Sequence, residues 1–407
     1  MTSLTIKPSD DIQNAINSLK PGDTLICADG LYHGGISIDE NIKGSASNPI
    51  TIKAENKWKA VIVGSGPTSK HGISVSGQYI ILDGLHILGA LGDGVKFQAS
   101  ADPKKADLAT NNTIINCWIH HNLSNGIGAH FESVPIMNLS INNCLIEFNG
   151  SHPAYDHGLY ISGSGLKIKN CVLRSNAGWG IHCFGGYLSN AILVNNAVYL
   201  NGGFANCGGV LLRCPEGGGN ITVINNTIVS NRAHPLLIED AGSGGPSWIR
   251  IINTIIVSGS QQQPLVVSSK VTNCIFGKNS GSAGCLGIEP MAYDWRTYFV
   301  PNPEKGTLWL REFLAAIGPS VINPLMTGGE SSYYDSETDR DFWGNLRTAS
   351  PCRGAFAFQR LLDIAPDSDL RKGWRGGDLY SFSNTAASLL VPDMWKLPPV
   401  LVGVDWK

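Results

Sequence analysis

Seven short segments of the chain begin with glycine or proline and then alternate apolar with polar residues. They are residues 72–76, 94–98, 126–130, 158–162, 180–184, 209–213 and 235–239. Such alternation is typical of a strand with one face in a core and the other face outside. Two outward columns result. One contains Ser74, Lys96, Gly128, Tyr160, His182, Leu211 and Leu237, and the other contains Ser76, Gln98, His130, Ser162, Phe184, Arg213 and Glu239.

The outward columns contain residues suited to removing a proton next to a carboxylate. If the segments stack as parallel strands about 4.8 Å apart, their outward side chains form one patch. In a uronic acid sugar, the C5 proton becomes acidic once the carboxylate is neutralised. Arg213 or Lys96 is predicted to neutralise that carboxylate. A histidine or tyrosine is predicted to take the C5 proton and to return one to the leaving oxygen.

Tyr160 and His182 fall on successive segments of one column, which suits a base and an acid that share one sugar. His130 and His157 compete for the same roles. The predicted catalytic set is therefore Tyr160, His182, Arg213, His130 and His157. The predicted substrate-binding set is Lys96, Gln98, Asp156, Phe184 and Glu239.

A repeat in the middle of the chain supplies the elements that must position these residues. An asparagine column recurs every 20 to 30 residues, at Asn116, Asn143, Asn170, Asn196, Asn226, Asn253 and Asn273. A second asparagine follows five of these, at Asn122, Asn149, Asn176, Asn201 and Asn231. Units of this length that are rich in β-branched residues favour a parallel β-solenoid whose coils stack on one another. The predicted fold is an all-β, single-stranded, right-handed parallel β-helix, with Asn side chains forming ladders along its axis.

The ends of the chain read differently from the repeat. Residues 10–19 place Ile12, Ala15, Ile16 and Leu19 on one helical face, with Ser9 or Asp10 as the N-cap, which predicts a helix that caps the solenoid. Periodicity fades near residue 280. We predict a capped β-helix over 1–285 and an irregular C-terminal extension over 286–407, with a short helix at 308–316. Cys117, Cys144, Cys171 and Cys274 occupy one column and are predicted to be buried thiols.

The chain resembles the chondroitinase B and alginate lyase-like branch of the pectate-lyase superfamily. The resemblance rests on IQNAI (12–16), KPGDTLI (20–26), ADGLY (28–32), PITIK (49–53) and, near the end, DFWGNLR (341–347) with GAF (354–356). It implies a right-handed parallel β-helix and a catalytic arginine at Arg213. It also implies a catalytic lysine one coil earlier, where this chain has Phe184, together with calcium. Because Phe184 cannot act as a base, the base is predicted to be a histidine or a tyrosine instead of a lysine.

The favoured function is β-elimination at a uronic acid residue of a polysaccharide. A uronate C5-epimerase, a glycoside hydrolase and a non-catalytic, tailspike-like glycan-binding module remain alternatives. The hydrolase would need two flanking carboxylates, and the outward columns offer no pair on adjacent coils. No cofactor is predicted, although Ca²⁺ remains open because of Asp93, Asp102 and Asp107.

Composition limits the partners. The 30 basic and 32 acidic residues nearly cancel, which argues against nucleic acid as a partner. No apolar run is long enough to span a membrane, and a monomer is expected. The substrate class predicts an extracellular protein, whereas the first residues lack a signal-peptide pattern.

Overall fold

The computed structural model describes twelve stretches of the chain. They are residues 1–67, 69–98, 109–129, 136–183, 188–202, 207–214, 219–231, 234–240, 249–258, 270–272, 274–276 and 285–287. Residues 288–407 of the predicted extension, with its helix at 308–316 and the motifs near 341–356, lie outside these residues. The last described strand, Cys285–Gly287, pairs in parallel with Cys274–Phe276.

Eight successive coils, from Thr24 to Asp240, each contribute one strand to each of three parallel sheets. Sheet 1 contains Ser3–Ile6, Thr24–Cys27, Ile50–Ala54, Ile80–Asp83, Thr113–Ile115, Ser140–Asn142, Lys167–Lys169, Ile192–Val194, Ile221–Ile224, Ile249–Ile252 and Lys270–Thr272. Sheet 2 contains Gly30–His33, Ala60–Val63, His86–Leu88, Trp118–His120, Leu145–Glu147, Val172–Arg174, Ala197–Tyr199, Thr227–Asn231, Ile255–Ser258, Cys274–Phe276 and Cys285–Gly287.

Sheet 3 has eight strands and carries the glycine-initiated segments. Its strands are Ile36–Ile38, Ile73–Val75, Val95–Phe97, Ile127–Ala129, Leu159–Ile161, Ile181–Cys183, Val210–Cys214 and Leu236–Asp240. A short pair, Ile136–Met137 and Gly163–Ser164, lies beside the main sheets. Because every main strand pairs with its counterparts in neighbouring coils, the molecule is a parallel β-helix, as predicted.

The side chains predicted to point inward form a continuous core. In sheet 3 they are Ile73, Val75, Val95, Phe97, Ile127, Ala129, Leu159, Ile161, Ile181, Cys183, Val210, Leu212, Leu236 and Ile238, all between 0 and 2% exposed. Burying this apolar surface along the whole axis is the main driving force for stacking the coils. Ser162, which the alternation places outside, is also fully buried.

The asparagine ladders confirm one predicted column and correct the other. Asn122, Asn149, Asn176, Asn201 and Asn231 form one buried ladder, in which each Nδ2 donates to the Oδ1 of the next residue at 2.9 to 3.1 Å. These bonds satisfy amides that would otherwise be buried without partners.

The other predicted column changes register where asparagine is doubled. Asn116, Asn143 and Asn170 align with Asn195, not with Asn196, and all four have a positive φ. Asn196 and Asn226 instead follow Cys117, Cys144 and Cys171, and Asn196 Nδ2 donates to Asn226 Oδ1 at 2.9 Å. Asn is tolerated in the left-handed region, and either residue of an Asn-Asn pair suits that corner, so the sequence alone misassigns the register.

The described cysteines are buried thiols. Cys27, Cys117, Cys144, Cys171, Cys183 and Cys207 are all buried and unbridged. In the central column each Sγ contacts backbone carbonyl oxygens, as Cys144 does with Asn142 O at 3.2 Å. They therefore act as small core residues, as predicted for Cys117, Cys144 and Cys171, whereas the side chain of Cys274 lies outside the described residues.

One helix, Ile12–Asn17, covers the first coil within the described chain. It is shorter than predicted, and its N-cap is Asp11, whose side chain accepts from Asn14 N at 3.0 Å. Gln13 also pairs with the first strand of sheet 3, donating to Ser37 O and accepting from Ser37 N. The helix thus shields both the core and an open sheet edge. No described helix has the length and apolarity needed to cross a membrane.

Candidate active site

Sheet 3 aligns its outward side chains as the sequence predicts. Successive Cα partners in the first outward column are Ser37, Ser74, Lys96, Gly128, Tyr160, His182, Leu211 and Leu237. The second column pairs Arg213 with Glu239. Because the register is continuous, residues separated by more than 20 positions in sequence become direct neighbours along the axis.

Tyr160 and His182 lie side by side on adjacent strands. Their ring centroids are 4.9 Å apart and their planes are inclined by 34°. Arg213 lies on the next strand, two residues beyond the position that pairs with His182. All three side chains are partly exposed, although the Nε2 atom of His182 is buried. Strand spacing places the three within about 12 Å on one face of sheet 3, close enough to act on one sugar unit.

His157 lies beneath this pair and is 2% exposed. Its Nε2 is 2.6 Å from His182 Nδ1, and its Nδ1 accepts a hydrogen bond from the backbone N–H of Trp179 at 3.0 Å. Its ring also meets Tyr160 edge-on, with the centroids 5.3 Å apart. Burial and the neighbouring His182 hold the pKa of His157 well below its usual range, so it is neutral at physiological pH.

A second cluster lies two coils away, at Lys96. Lys96 Nζ is 3.4 Å from Asp93 Oδ2, and His71 Nδ1 is 3.7 Å from the same oxygen. The other carboxylate oxygen, Asp93 Oδ1, accepts hydrogen bonds from Asn125 N and Asn125 Nδ2. Burial lowers the pKa of His71, although Asp93 opposes that shift. The Lys96 ammonium is therefore held at a fixed place beside Gly128 on the outward face of sheet 3.

Gly128 separates the two clusters. A Cβ atom at this position would lie 2.2 Å from Asp93 Oδ2 and 3.2 Å from Lys96 Cδ. The missing side chain therefore leaves the space that the Asp93 carboxylate occupies. Gly128 leaves a notch in the outward column between Lys96 and Tyr160.

Sequence reasoning missed the column that supports these side chains. The residue before each strand-initiating glycine is buried, and the column contains His71, Asp93, Asn125, His157 and Trp179. Its members contact one another from coil to coil: Asn125 Oδ1 accepts from His157 N at 2.8 Å. Extending the glycine-based alignment one position toward the N-terminus would have revealed the column.

The remaining predicted residues have diverse environments. Asp156 is buried, and its Oδ2 accepts from Ser151 N and from His152 N, so its carboxylate stabilises a turn. Gln98 is partly exposed, and its Nε2 is 3.4 Å from Ser74 Oγ. Glu239 is partly exposed beside Arg213. His130 and Phe184 lie outside the described residues.

A calcium site would need six to eight oxygen ligands. Among the residues that the structure describes, no group of three or more His, Cys, Asp or Glu side chains is arranged to hold a metal ion. Asp93 faces Lys96 and Asn125 instead, and Asp102 and Asp107 lie outside the described residues. The described side chains therefore do not fit a calcium site.

Comparison with known proteins agrees with the architecture. Residues 6–176 match the family model described as Chondroitinase B. The crystal structure of pectate lyase Pel9A superposes with a TM-score of 0.60 at 15% identity, covering 88% of this chain and 96% of that one. A rhamnogalacturonan lyase gives a TM-score of 0.45 at 15% identity, covering 74% and 91% of the two chains. An alginate lyase from Paenibacillus sp. str. FPU-7 gives 0.37 at 17% identity, with 70% and 99% covered. No curated protein sequence matches this chain.

Three parallel sheets, a capping helix and internal asparagine ladders define a right-handed parallel β-helix. Over residues 6–176 the chain is similar to the Chondroitinase B family, and its fold is similar to that of pectate lyase Pel9A.

Proposed function

We propose that the protein is a polysaccharide lyase that cleaves a uronic-acid-containing chain by β-elimination. The observation that carries the proposal is the juxtaposition of Tyr160 and His182, with ring centroids 4.9 Å apart, near the guanidinium-bearing residue Arg213 on the next strand. The match to the chondroitinase B family model supports a lyase. A fold alone would not support one, because this superfold hosts several chemistries.

The proposed reaction uses three kinds of group. Arg213 pairs with the sugar carboxylate and stabilises the negative charge that accumulates there as the C5–H bond breaks. A base takes the C5 proton, and the electron pair of that bond becomes the C4=C5 double bond. The C4–O4 bond then breaks with its electrons on O4, which accepts a proton. Tyr160 and His182 supply the base and the hydrogen-bond donor.

Lys96 is proposed to bind a neighbouring part of the same polysaccharide. It lies two coils from Tyr160 along sheet 3, which corresponds to about 10 Å at the usual strand spacing. A polysaccharide bound along the column from Lys96 to Arg213 therefore places several sugar units on sheet 3. The mixed charge of Lys96 and Asp93 suits sugar hydroxyls as well as carboxylates.

The test is incubation of the full chain with alginate, pectate and glycosaminoglycans while following ultraviolet absorbance from the new C4=C5 double bond. We expect absorbance to rise with at least one of these substrates. Tyr160→Phe should lower the rate by about 10²- to 10⁴-fold, as loss of a proton-transfer group does, without lowering the unfolding midpoint. Arg250→Ala, an exposed arginine on sheet 1, is the matched control.

The other outcomes separate the alternatives. New reducing ends without the double bond would indicate a hydrolase. A change of sugar configuration without cleavage would indicate a C5-epimerase. Binding without turnover on every substrate would indicate a glycan-binding module. Each of these results would contradict the lyase proposal.

A further inference from the structure

His157 connects the backbone of one coil to the side chain of His182. Its Nδ1 accepts from the N–H of Trp179 at 3.0 Å, and its Nε2 contacts His182 Nδ1 at 2.6 Å. A backbone N–H can only donate, so the Nδ1 of His157 carries no proton. His71 occupies the equivalent position in another coil and makes the same kind of bond: its Nδ1 accepts from the backbone N–H of Asp93 at 2.9 Å.

The direction of the second hydrogen bond follows from the first. Neutral imidazole carries one proton, and with Nδ1 acting as an acceptor that proton must be on Nε2 of His157. The Nε2–H therefore donates to His182 Nδ1, and neutral His182 carries its own proton on Nε2. Protonating Nδ1 of His182 would place two N–H groups against each other unless His157 gave up the bond from Trp179.

We infer that His157 is a positioning residue that holds His182 in the neutral form protonated on Nε2. His182 then acts as a hydrogen-bond donor, and Tyr160 is the base that removes the C5 proton. This inference rests on the proposed lyase function. It assigns roles that the residue types alone leave open. The substrate of the site is then a uronate whose carboxylate pairs with the Arg213 guanidinium. Because His182 Nε2 is buried in this structure, its N–H reaches the carboxylate only when substrate binding uncovers that atom.

The assignment gives a balanced elimination. The Tyr160 phenolate takes the C5 proton, and the C5–H electron pair forms the C4=C5 bond. The C4–O4 bond breaks, and O4 receives the same proton back from the Tyr160 phenol. Tyr160 returns to its starting state, while His182 gains and loses no proton. No oxidant, reductant or second reactant is required.

The hydrogen-bond assignment is measured without substrate. Long-range ¹H–¹⁵N correlation spectra of the full chain, with ¹⁵N-labelled histidine, show which ring nitrogen bears the proton. His182→Gln identifies the His182 signals by their loss. Near neutral pH we expect His182 and His157 both to be protonated on Nε2 alone. A proton on Nδ1 of His182 in the unmodified chain would overturn the inference.

Substitutions at His157 provide the matched series. His157→Gln retains an acceptor for Trp179 N–H and a donor for His182, so the Nε2–H form of His182 should persist. His157→Leu removes both, and His182 should then exchange between its two neutral forms. His71→Leu is the control, because it removes the equivalent bond to Asp93 N and should leave the His182 signals unchanged. If His157→Leu also left them unchanged, His157 would not position His182.

The elimination rates of His182 variants distinguish a hydrogen-bond donor from a base at this position. Glutamine donates a hydrogen bond but cannot remove a proton at neutral pH. His182→Gln should therefore keep the rate within about tenfold, whereas His182→Ala should lose about 10²- to 10³-fold, as loss of one stabilising donor does. Equal inactivation by both, with Tyr160→Phe still active, would make His182 the base and overturn the inference. If no substrate is turned over, the proposed function fails, but the spectra still decide the His182 tautomer.

Discussion

Lys96 and Asp93 form an ion pair at the edge of the candidate site, with Lys96 Nζ 3.4 Å from Asp93 Oδ2. The Asp93 side chain is only 4% exposed and accepts hydrogen bonds from Asn125, whereas the Lys96 side chain is 21% exposed. The carboxylate lies over Gly128, where the outward column has no side chain. Lys96 is thus positioned by a residue from the buried column that precedes the strands.

Gly128→Ala should destabilise the fold, because its Cβ would lie 2.2 Å from Asp93 Oδ2. Asp93→Ser shortens the blocking side chain and should partly relieve that clash. We expect the double variant to be more stable than the sum of the single effects predicts, with a coupling of about 0.5 to 3 kcal/mol. Denaturant unfolding of the four proteins measures this. Strict additivity would show that Asp93 does not occupy the Gly128 notch.

Arg213→Ala should lower kcat/KM by about 10²- to 10³-fold, because the guanidinium stabilises the charge that develops on the sugar carboxylate. The kcat/KM of Arg213→Lys should lie between the values of the unmodified chain and of Arg213→Ala, because an ammonium cannot bind a carboxylate bidentately. The measurement is the initial rate of double-bond formation over a range of substrate concentrations. Arg250→Ala, whose Nη2 donates to Thr222 Oγ1 at 3.0 Å on another sheet, should match the unmodified chain. Equal losses in the two alanine variants would contradict a specific role for Arg213.

Asn149→Ala should cost about 3 kcal/mol of unfolding free energy. Asn149 Nδ2 donates to Asn176 Oδ1, Ile119 O and Glu147 O, and Asn149 Oδ1 accepts from Asn122. Removing the amide leaves several buried polar groups without partners, at about 1 to 3 kcal/mol each before relaxation. The control is Asn56→Ala, because the Asn56 side chain donates to the Asp29 carboxylate at an exposed site. This substitution should change stability by about 0.5 kcal/mol or less. Equal effects would show that the ladder contributes little.

Acid should destabilise the protein through its buried histidines. His86 Nε2 lies 2.6 Å from His120 Nε2, and His120 Nδ1 lies 2.6 Å from His121 Nδ1, beside Trp118. Burial lowers the pKa of His86 to about 3 and holds the pKa of His120 well below its usual range. Burial also lowers the pKa of His121, although Glu147 opposes that shift.

The sign of this effect follows from proton binding. Below about pH 6.5 the unfolded histidines bind protons and the folded ones do not. The unfolding free energy should therefore fall as the pH drops from 6.5 toward 3, by about 1.4 kcal/mol per pH unit for each such histidine. Denaturant unfolding at several pH values measures the slope. His120→Phe should reduce it, and the exposed His33→Ala should not. A flat profile below pH 6.5 would contradict neutral buried histidines.

The alternation of residue types was enough to predict sheet 3. Inward residues such as Ile127 and Leu159, and the outward alignment of Lys96, Tyr160 and His182, follow from a period of two within single strands. The ladder from Asn122 to Asn231 was equally readable, because one asparagine recurs at each coil. The register of the doubled asparagines 195–196 and 225–226 could not be predicted, because both residues of each pair suit the corner.

The supporting interactions depend on how each turn enters its strand, which no local pattern encodes. Asp156 stands beside His157 in sequence, but its carboxylate binds the turn at Ser151 and His152. His157 meets Trp179 and His182, residues 22 and 25 positions away, only because the coils stack in register. The sequence by itself therefore determined the β-helix and the residue types on its outward face, through short-range periodicity and burial. Only the tertiary structure decided that His182 Nδ1 faces His157 Nε2 and that the Asp93 carboxylate holds Lys96, because these pairs form only when the coils stack in register.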